Sequence, residues 1–157
     1  MKNELVVKDN ALINASYNLE VTEQRLILLA IINARETGQG ITSDSKLEIH
    51  AHDYASRFDV SNSGAYKALK EAVNNLFDRQ FSFKEPDKQG NLGVVKSRWV
   101  SRIKYIDATA TLEVTFAPDV VPLITRLEQH FTSYQLKQVA QLTSKYAIRL
   151  YEMLIAW

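Results

Sequence analysis

From Leu26 to Ile32 every residue is apolar, and Leu26, Ile27, Leu28, Leu29, Ile31 and Ile32 cover nearly the whole circumference of a helical projection. A helix from Thr22 to Glu36 is therefore predicted to be buried on most sides and to serve as the central helix. Thr22 is placed to cap its start, Glu23 favours its first-turn dipole, and Gly38 lies just past its end. The run carries no charge, Gly or Pro, which makes it an aggregation-prone segment whenever the domain opens. Before it, Leu5 to Ile13 is too short for periodicity to choose between strand and helix.

Downstream the period shortens. Leu47, Ile49 and Ala51 alternate with polar residues, as in a strand half facing a core. Tyr54, Ala55 and Phe58 then return to helical spacing over His52 to Phe58. After a short turn, Ala65, Leu69, Ala72, Val73, Leu76 and Phe77 mark a longer amphipathic helix. From Gln80 the pattern is that of a β-hairpin: Phe81 to Phe83, a polar stretch with Pro86 and Gly90, then one long strand running to Tyr105. Asp107 to Thr109 turns into a further strand with Leu112, Val114 and Phe116, so at least three antiparallel strands are expected. A short helix near Pro118 and Pro122 is predicted next, carrying Val120, Val121, Leu123, Ile124 and Leu127. Two more helices are predicted over Tyr134 to Leu142 and Ser144 to Trp157.

Composition places this pattern in a single α+β domain. The 157 residues are 46% hydrophobic and 24% charged, enough to bury one core and too apolar for general disorder. Neither an internal repeat nor a Gly/Ser/Pro linker divides the chain. It stops inside an uncapped helical pattern, "LYEMLIAW", which suggests that it continues in a longer protein. Cysteine is absent, so disulfide and thiolate chemistry are unavailable. Met1 to Asn10 lacks an export pattern, and the longest apolar run is far below the roughly 20 residues that span a bilayer. A cytoplasmic location without membrane contact is expected.

Charge changes the picture only when divided along the chain. The formal net charge is +1, but Ser61 to Tyr105 holds 9 Lys/Arg against 4 Asp/Glu, a balance of +5, while the flanking segments stand at −3 and −1. The basic segment coincides with a short helix, a tight turn, a longer helix and a hairpin, which is the order of a winged helix-turn-helix. A basic face on such a unit suits phosphate binding. Ser61, Asn62 and Ser63 open the longer helix with small polar groups that either dock phosphate oxygens or simply cap the helix. Tyr66, Lys67 and Lys70 fall opposite its apolar stripe and are predicted to face a groove of DNA. Lys84 and Lys88 flank the hairpin tip. Lys96, Arg98, Arg102 and Lys104 have the even spacing of a basic ladder on one face of a single strand, which serves either DNA or the protection of a sheet edge.

Several stretches carry a family resemblance: "VVKDNALINASYNL", "TEQRLILLAIINAR", "AYKALKEAVNNLFDRQFSF", "SRWVSRIKYID", "LEVTFAPDVVPLI" and "TSKYAIRLYEML". Taken together, the chain resembles the N-terminal winged-helix domain of the iteron-binding plasmid replication initiators. The resemblance implies two tandem winged-helix domains, the second reading iteron bases and the first, the part present here, contacting the DNA backbone and dimerising. It implies double-stranded origin DNA, a second copy of the chain and host replication proteins as partners, with no cofactor or metal. A switch between repressing dimers and initiating monomers is the implied mechanism. The stretches Val94 to Tyr105 and Thr111 to Phe116 are candidates for an intermolecular sheet, because an unpaired strand edge invites pairing.

Two rival functions remain. In a rolling-circle endonuclease, His50 and His52 would hold a metal, with His130 a possible further ligand, while Tyr134, three residues before Lys137, cuts a DNA strand. His52 starts the predicted helix, so its ring is expected to diverge from that of His50. The second rival is an assembly module with negligible DNA affinity.

Overall fold

The apolar run lies within α1 (Val21–Thr37), and Leu26 to Ile32 are all buried, as an all-round apolar helix requires. These contacts come from the computed structural model, which describes residues 18–38 and 40–130 together with Ala11 and Ala15. The helices expected over Tyr134 to Leu142 and Ser144 to Trp157 lie outside the described residues, as does most of Leu5 to Ile13. The α1 helix packs against β1 (Leu47–His50), α3 (Asn62–Asp78) and α4 (Val121–His130). Its cap differs from the expected Thr22. The helix begins one residue earlier, so Glu20 takes the cap position, and its side chain and that of Glu23 each accept the other's backbone N–H. Gly38 ends the helix at φ 69°, a conformation that only Gly adopts without steric cost.

The α2 helix (Ala51–Arg57) and α3 form the helix-turn-helix. Tyr54 and Ala55 of α2, and Ala65, Leu69, Ala72, Val73 and Leu76 of α3, are buried against the core. Between them Asp59 sits at φ 53°, which Asp tolerates better than most residues, and the Val60 N–H donates to the Ala55 carbonyl at 3.0 Å. After the sheet, α4 buries Leu123 and Ile124, preceded by buried Val120, and carries Pro122 in its first turn.

The strands divide differently from the expected hairpin. β2 (Gln80–Pro86) pairs only with β3 (Leu92–Arg98), forming a two-stranded wing. β4 (Val100–Ile106) belongs to a second antiparallel sheet of order β1-β5-β4 with β5 (Thr111–Phe116). The predicted long strand is therefore broken at Trp99, which is fully buried and stands between β3 and β4. Trp99 and Val100 are both buried, so the two-residue alternation slips there, and a further irregularity lies between Val100 and Arg102. A second correction concerns β5. It lies between β1 and β4, so both its edges are paired and Thr111 to Phe116 cannot offer a free edge to another chain. Among the described residues, β4 is a terminal strand of that sheet.

Candidate nucleic-acid interface

The first turn of α3 is built by its own sequence. Ser61 caps it, accepting the Ser63 backbone N–H at 3.3 Å, and the Ser61 and Ser63 hydroxyls lie 2.8 Å apart. Ser61, Asn62 and Ser63 are all exposed at this helix start. Capping thus uses one oxygen and leaves the outward face of the turn to solvent.

Of the three groove-facing candidates on α3, only Lys67 is exposed without an ionic partner among the described residues. Tyr66 and Lys70 are drawn sideways. The Tyr66 hydroxyl donates to Asp107 Oδ1 at 2.6 Å, and Lys70 Nζ donates to the same oxygen at 3.3 Å. The Lys70 ammonium also lies 5.2 Å from the Tyr66 ring centroid and 5.1 Å from that of Tyr105. Tyr105 in turn donates to Asn74, whose amide donates to the Lys70 carbonyl at 3.0 Å. Asp107 reaches this position because Asp107–Thr109 forms a 3-10 turn between β4 and β5, closed by Ala110 at φ 49°.

This network leaves a mark on protonation. Partial burial, then the bond to Asp107, pushes the Tyr66 phenol up to about 12. The hydrogen bonds from Tyr66 and Lys70 hold the Asp107 carboxyl below its ordinary range. The Tyr66 contribution to stability is therefore complete below its unfolded pKa and lost as pH rises through about 12. That of Asp107 is present at neutral pH and lost as pH falls through its depressed pKa.

The expected four-residue ladder does not exist as one face. Lys96 and Arg98 stand on β3 in the wing, whereas Arg102 and Lys104 stand on β4 in the other sheet. Glu113 of β5 takes both of the latter, 3.3 Å from Arg102 and 3.8 Å from Lys104. In the wing, the pairs Gln80–Arg98, Ser82–Lys96, Lys84–Val94 and Pro86–Leu92 share the outer face. Phe81 and Phe83 point inward and are buried, with the Phe81 ring 6.1 Å from that of Trp99. Arg98 lies over the Phe77 ring at 5.5 Å, which ties the wing base to α3. Lys84, Lys88 and Lys96 have no ionic partner among the described residues.

The wing tip is ordered by Asp87, which sequence reading passed over as part of a polar stretch. Its carboxylate accepts the backbone N–H groups of Gln89 and Asn91, each at 2.9 Å, and its own N–H donates to the Asn91 carbonyl at 2.8 Å. Asp in such a turn is a recognisable signal, and the D-x-x-G-N spacing carries it. Asp107 and Glu113 had no comparable local signal.

This order of elements places a wing with exposed cations beside the second helix of a helix-turn-helix. Residues 5–155 match the family model "Initiator Replication protein, WH1". The chain belongs to the WH1 family of replication initiators. A crystal structure of the WH1 domain of MSBI1.176, a replication protein isolated from a multiple sclerosis patient, is 59% identical and covers 82% of this chain and 98% of that one, with a TM-score of 0.76. The Pi initiator protein, solved in complex with iteron DNA, is 20% identical and shares the fold, with a TM-score of 0.62 over 92% of this chain and 60% of that one. An uncharacterized 27.6 kDa protein of Escherichia coli is 27% identical over 157 residues. This WH1 chain spans 95% of its own length in that match and 65% of the relative's.

The His50 and His52 rings of the WH1 chain belong to different elements. His50 ends β1, its Nδ1 3.1 Å from Thr111 Oγ1 and its Nε2 3.6 Å from Glu48, while His52 is exposed in the first turn of α2. Tyr134 and Lys137 lie outside the described residues, and so does the His130 side chain.

One consequence of the Asp107 network is testable directly. Asp107→Asn removes the anion that occupies Lys70, so affinity for duplex DNA is expected to rise severalfold, with the slope of log K against log salt steeper by about 0.9. The Tyr66 phenol should fall only part of the way toward its ordinary value, because burial, the larger cause, remains. Anisotropy titrations and phenolate absorbance measure the two effects. Unchanged affinity and slope would show that Lys70 serves the fold rather than DNA.

Proposed function

We propose that this WH1 domain docks on the DNA backbone and dimerises within a plasmid-type replication initiator, and that base reading belongs to a second winged-helix domain outside this chain. The observation that carries the reading is the placement of Lys67, Lys84, Lys88 and Lys96. All four lack a carboxylate partner among the described residues, and they sit on the second helix of a helix-turn-helix and on the wing beside it. The shared fold with an initiator solved on iteron DNA supports the same reading. Such a domain works in the cytoplasm and needs no cofactor.

Charge on a mobile ammonium gives affinity without base preference, because phosphates repeat identically along any duplex. Binding should fall steeply with salt. Replacing Lys67, Lys84, Lys88 and Lys96 together by Ala is expected to weaken binding uniformly across sequences and to flatten the salt slope by up to about 3.6. Arg102→Ala should matter less, since Glu113 already neutralises that group. Fluorescence anisotropy at two salt concentrations reads both outcomes. A quadruple variant that binds like the parent would sink the proposal.

For dimerisation, β4 is the strand we assign to an intermolecular sheet, as it is terminal among the described residues while β5 is not. Sedimentation velocity over a range of concentrations should show a monomer–dimer equilibrium. A monomer at all concentrations would remove this half of the proposal.

The chain acts by binding rather than by strand cleavage in this reading. The divergent settings of His50 and His52 favour it, as does the occupation of the His50 ring by Thr111 and Glu48. Nicking of single-stranded origin DNA with magnesium or manganese, abolished by Tyr134→Phe, would establish the endonuclease instead.

A further inference from the structure

A terminal strand such as β4 presents unpaired N–H and C=O groups to any other chain, and charged side chains are a common guard against that. The guard is present here. Arg102 and Lys104 are exposed on β4, and the irregularity between Val100 and Arg102 takes Ser101 out of the ladder, so regular pairing is confined to residues 102–106. Both cations stand on the sheet face turned away from the core, opposite Thr115 and Glu113 of β5, whereas Ile103 and Tyr105 pack on the core side.

Glu113 weakens this guard. Its side chain is only 12% exposed and lies 3.3 Å from Arg102 and 3.8 Å from Lys104, whose own side chains are 43% and 51% exposed. One carboxylate on the middle strand thus serves two cations on the edge. On its other side Glu113 stands directly opposite Glu48 of β1, an arrangement of like charges that disfavours a strand pair. The two cations offset that repulsion, and the carboxylate halves the charge they present.

A second copy of the chain meets these groups when it pairs with β4. Residues of the outward face can oppose only residues of the outward face, or the core faces of the two sheets would not join. Across a two-fold axis, the register that pairs all five residues sets Lys104 opposite its own equivalent. The register centred on Ile103 sets Arg102 opposite Lys104 twice. Only a three-residue overlap centred on Tyr105 keeps the cations from facing each other. We propose that Glu113 permits β4 to pair with the same strand of a second copy, by neutralising cations that would otherwise hold the two edges apart. The proposal rests on the dimerisation reading above and names the residue that controls it. A second copy suits this edge because every cation it brings to the seam arrives with a carboxylate already against it.

The test compares the 157-residue chain with Glu113→Gln and with the triple variant Arg102→Gln, Lys104→Gln and Glu113→Gln. Sedimentation velocity is run at about 50 mM and about 500 mM salt, where the screening lengths differ about threefold. The amide keeps the carboxylate's shape and the repulsion from Glu48 is removed, so the fold is expected to hold, as far-UV circular dichroism would show. The parental dimer should change little between the two buffers. Glu113→Gln should weaken it about tenfold at the lower salt and recover most of that loss at the higher one. The triple variant leaves no charge on the edge and should dimerise like the parent in both buffers, a rescue that a purely packing role for Glu113 would not give. A Glu113→Gln variant that dimerises like the parent at the lower salt, or stays weak at the higher, overturns the proposal and leaves the dimer standing. A triple variant as weak as Glu113→Gln does the same. A parental chain that is monomeric in both buffers overturns this proposal and the dimerisation reading together.

Discussion

Trp99→Ala is expected to destabilise the domain by about 4 kcal/mol, in the range of large aromatic truncations in a packed core. Trp99 is fully buried, its ring stands beside that of Phe81, and its carbonyl accepts the Ala117 N–H at 3.0 Å. It is also the residue at which the chain leaves the wing and enters the other sheet. Loss of the indole should therefore do more than lower stability. The wing would lose its inner support, and DNA affinity should fall at a temperature where the variant remains folded, although nothing places Trp99 itself on DNA. Urea denaturation followed by far-UV circular dichroism, with anisotropy on the folded variant, separates the effects. Trp99→Phe keeps an aromatic ring against Phe81 and should recover most of the DNA affinity. If Trp99→Ala lowers stability but leaves affinity at the parental level, the wing does not depend on this anchor.

Glu23→Ala is expected to cost about 3 kcal/mol, at the low end for breaking a buried ion pair because Arg79 keeps some access to solvent. The Glu23 side chain is fully buried and accepts two hydrogen bonds from Arg79, one at 3.0 Å, as well as the Glu20 N–H at 3.0 Å. Arg79 is 29% exposed and forms the C-cap of α3. A single carboxylate thus closes the start of the central helix and fastens the end of α3 to it. Removing it opens the capping box and strands a guanidinium in a half-buried site. Arg79→Leu in the same chain should restore part of the loss, since it removes the uncompensated charge. Chemical denaturation of the two single variants and the double variant gives the coupling. A double variant no more stable than Glu23→Ala would show that capping, rather than the ion pair, carries the effect.

Much of the architecture was legible along the chain. An apolar run flanked by helix start and stop residues reads as a buried helix, and α1 is one. The apolar stripe of α3 and the alternation in β2 and β5 located those elements, since a 3.6 or 2 period follows from the geometry of one face meeting a core. The concentration of cations between Ser61 and Tyr105 likewise needed only counting. The placement of Lys84 and Lys88 at the wing tip, and of Lys96 with Arg98 on one strand, came from the same local rules.

What remained hidden depended on contacts between residues remote in sequence. Tyr66 and Asp107 are 41 positions apart, and Arg102 and Glu113 are 11 apart, so no local period reports that a carboxylate will meet a particular cation. A strand and a strand that bends into another sheet also read alike, because alternation resumes after a buried residue such as Trp99. By itself, then, the sequence determined the central helix, the helix-turn-helix and the basic segment, all of which are fixed by short-range periodicity and charge. Only the tertiary structure decided which cations meet a carboxylate, that β5 is interior to its sheet, and that two aliphatic side chains stand exposed at the wing tip. Those depend on which strands pair, and pairing is settled by burial across the whole domain rather than by any one segment.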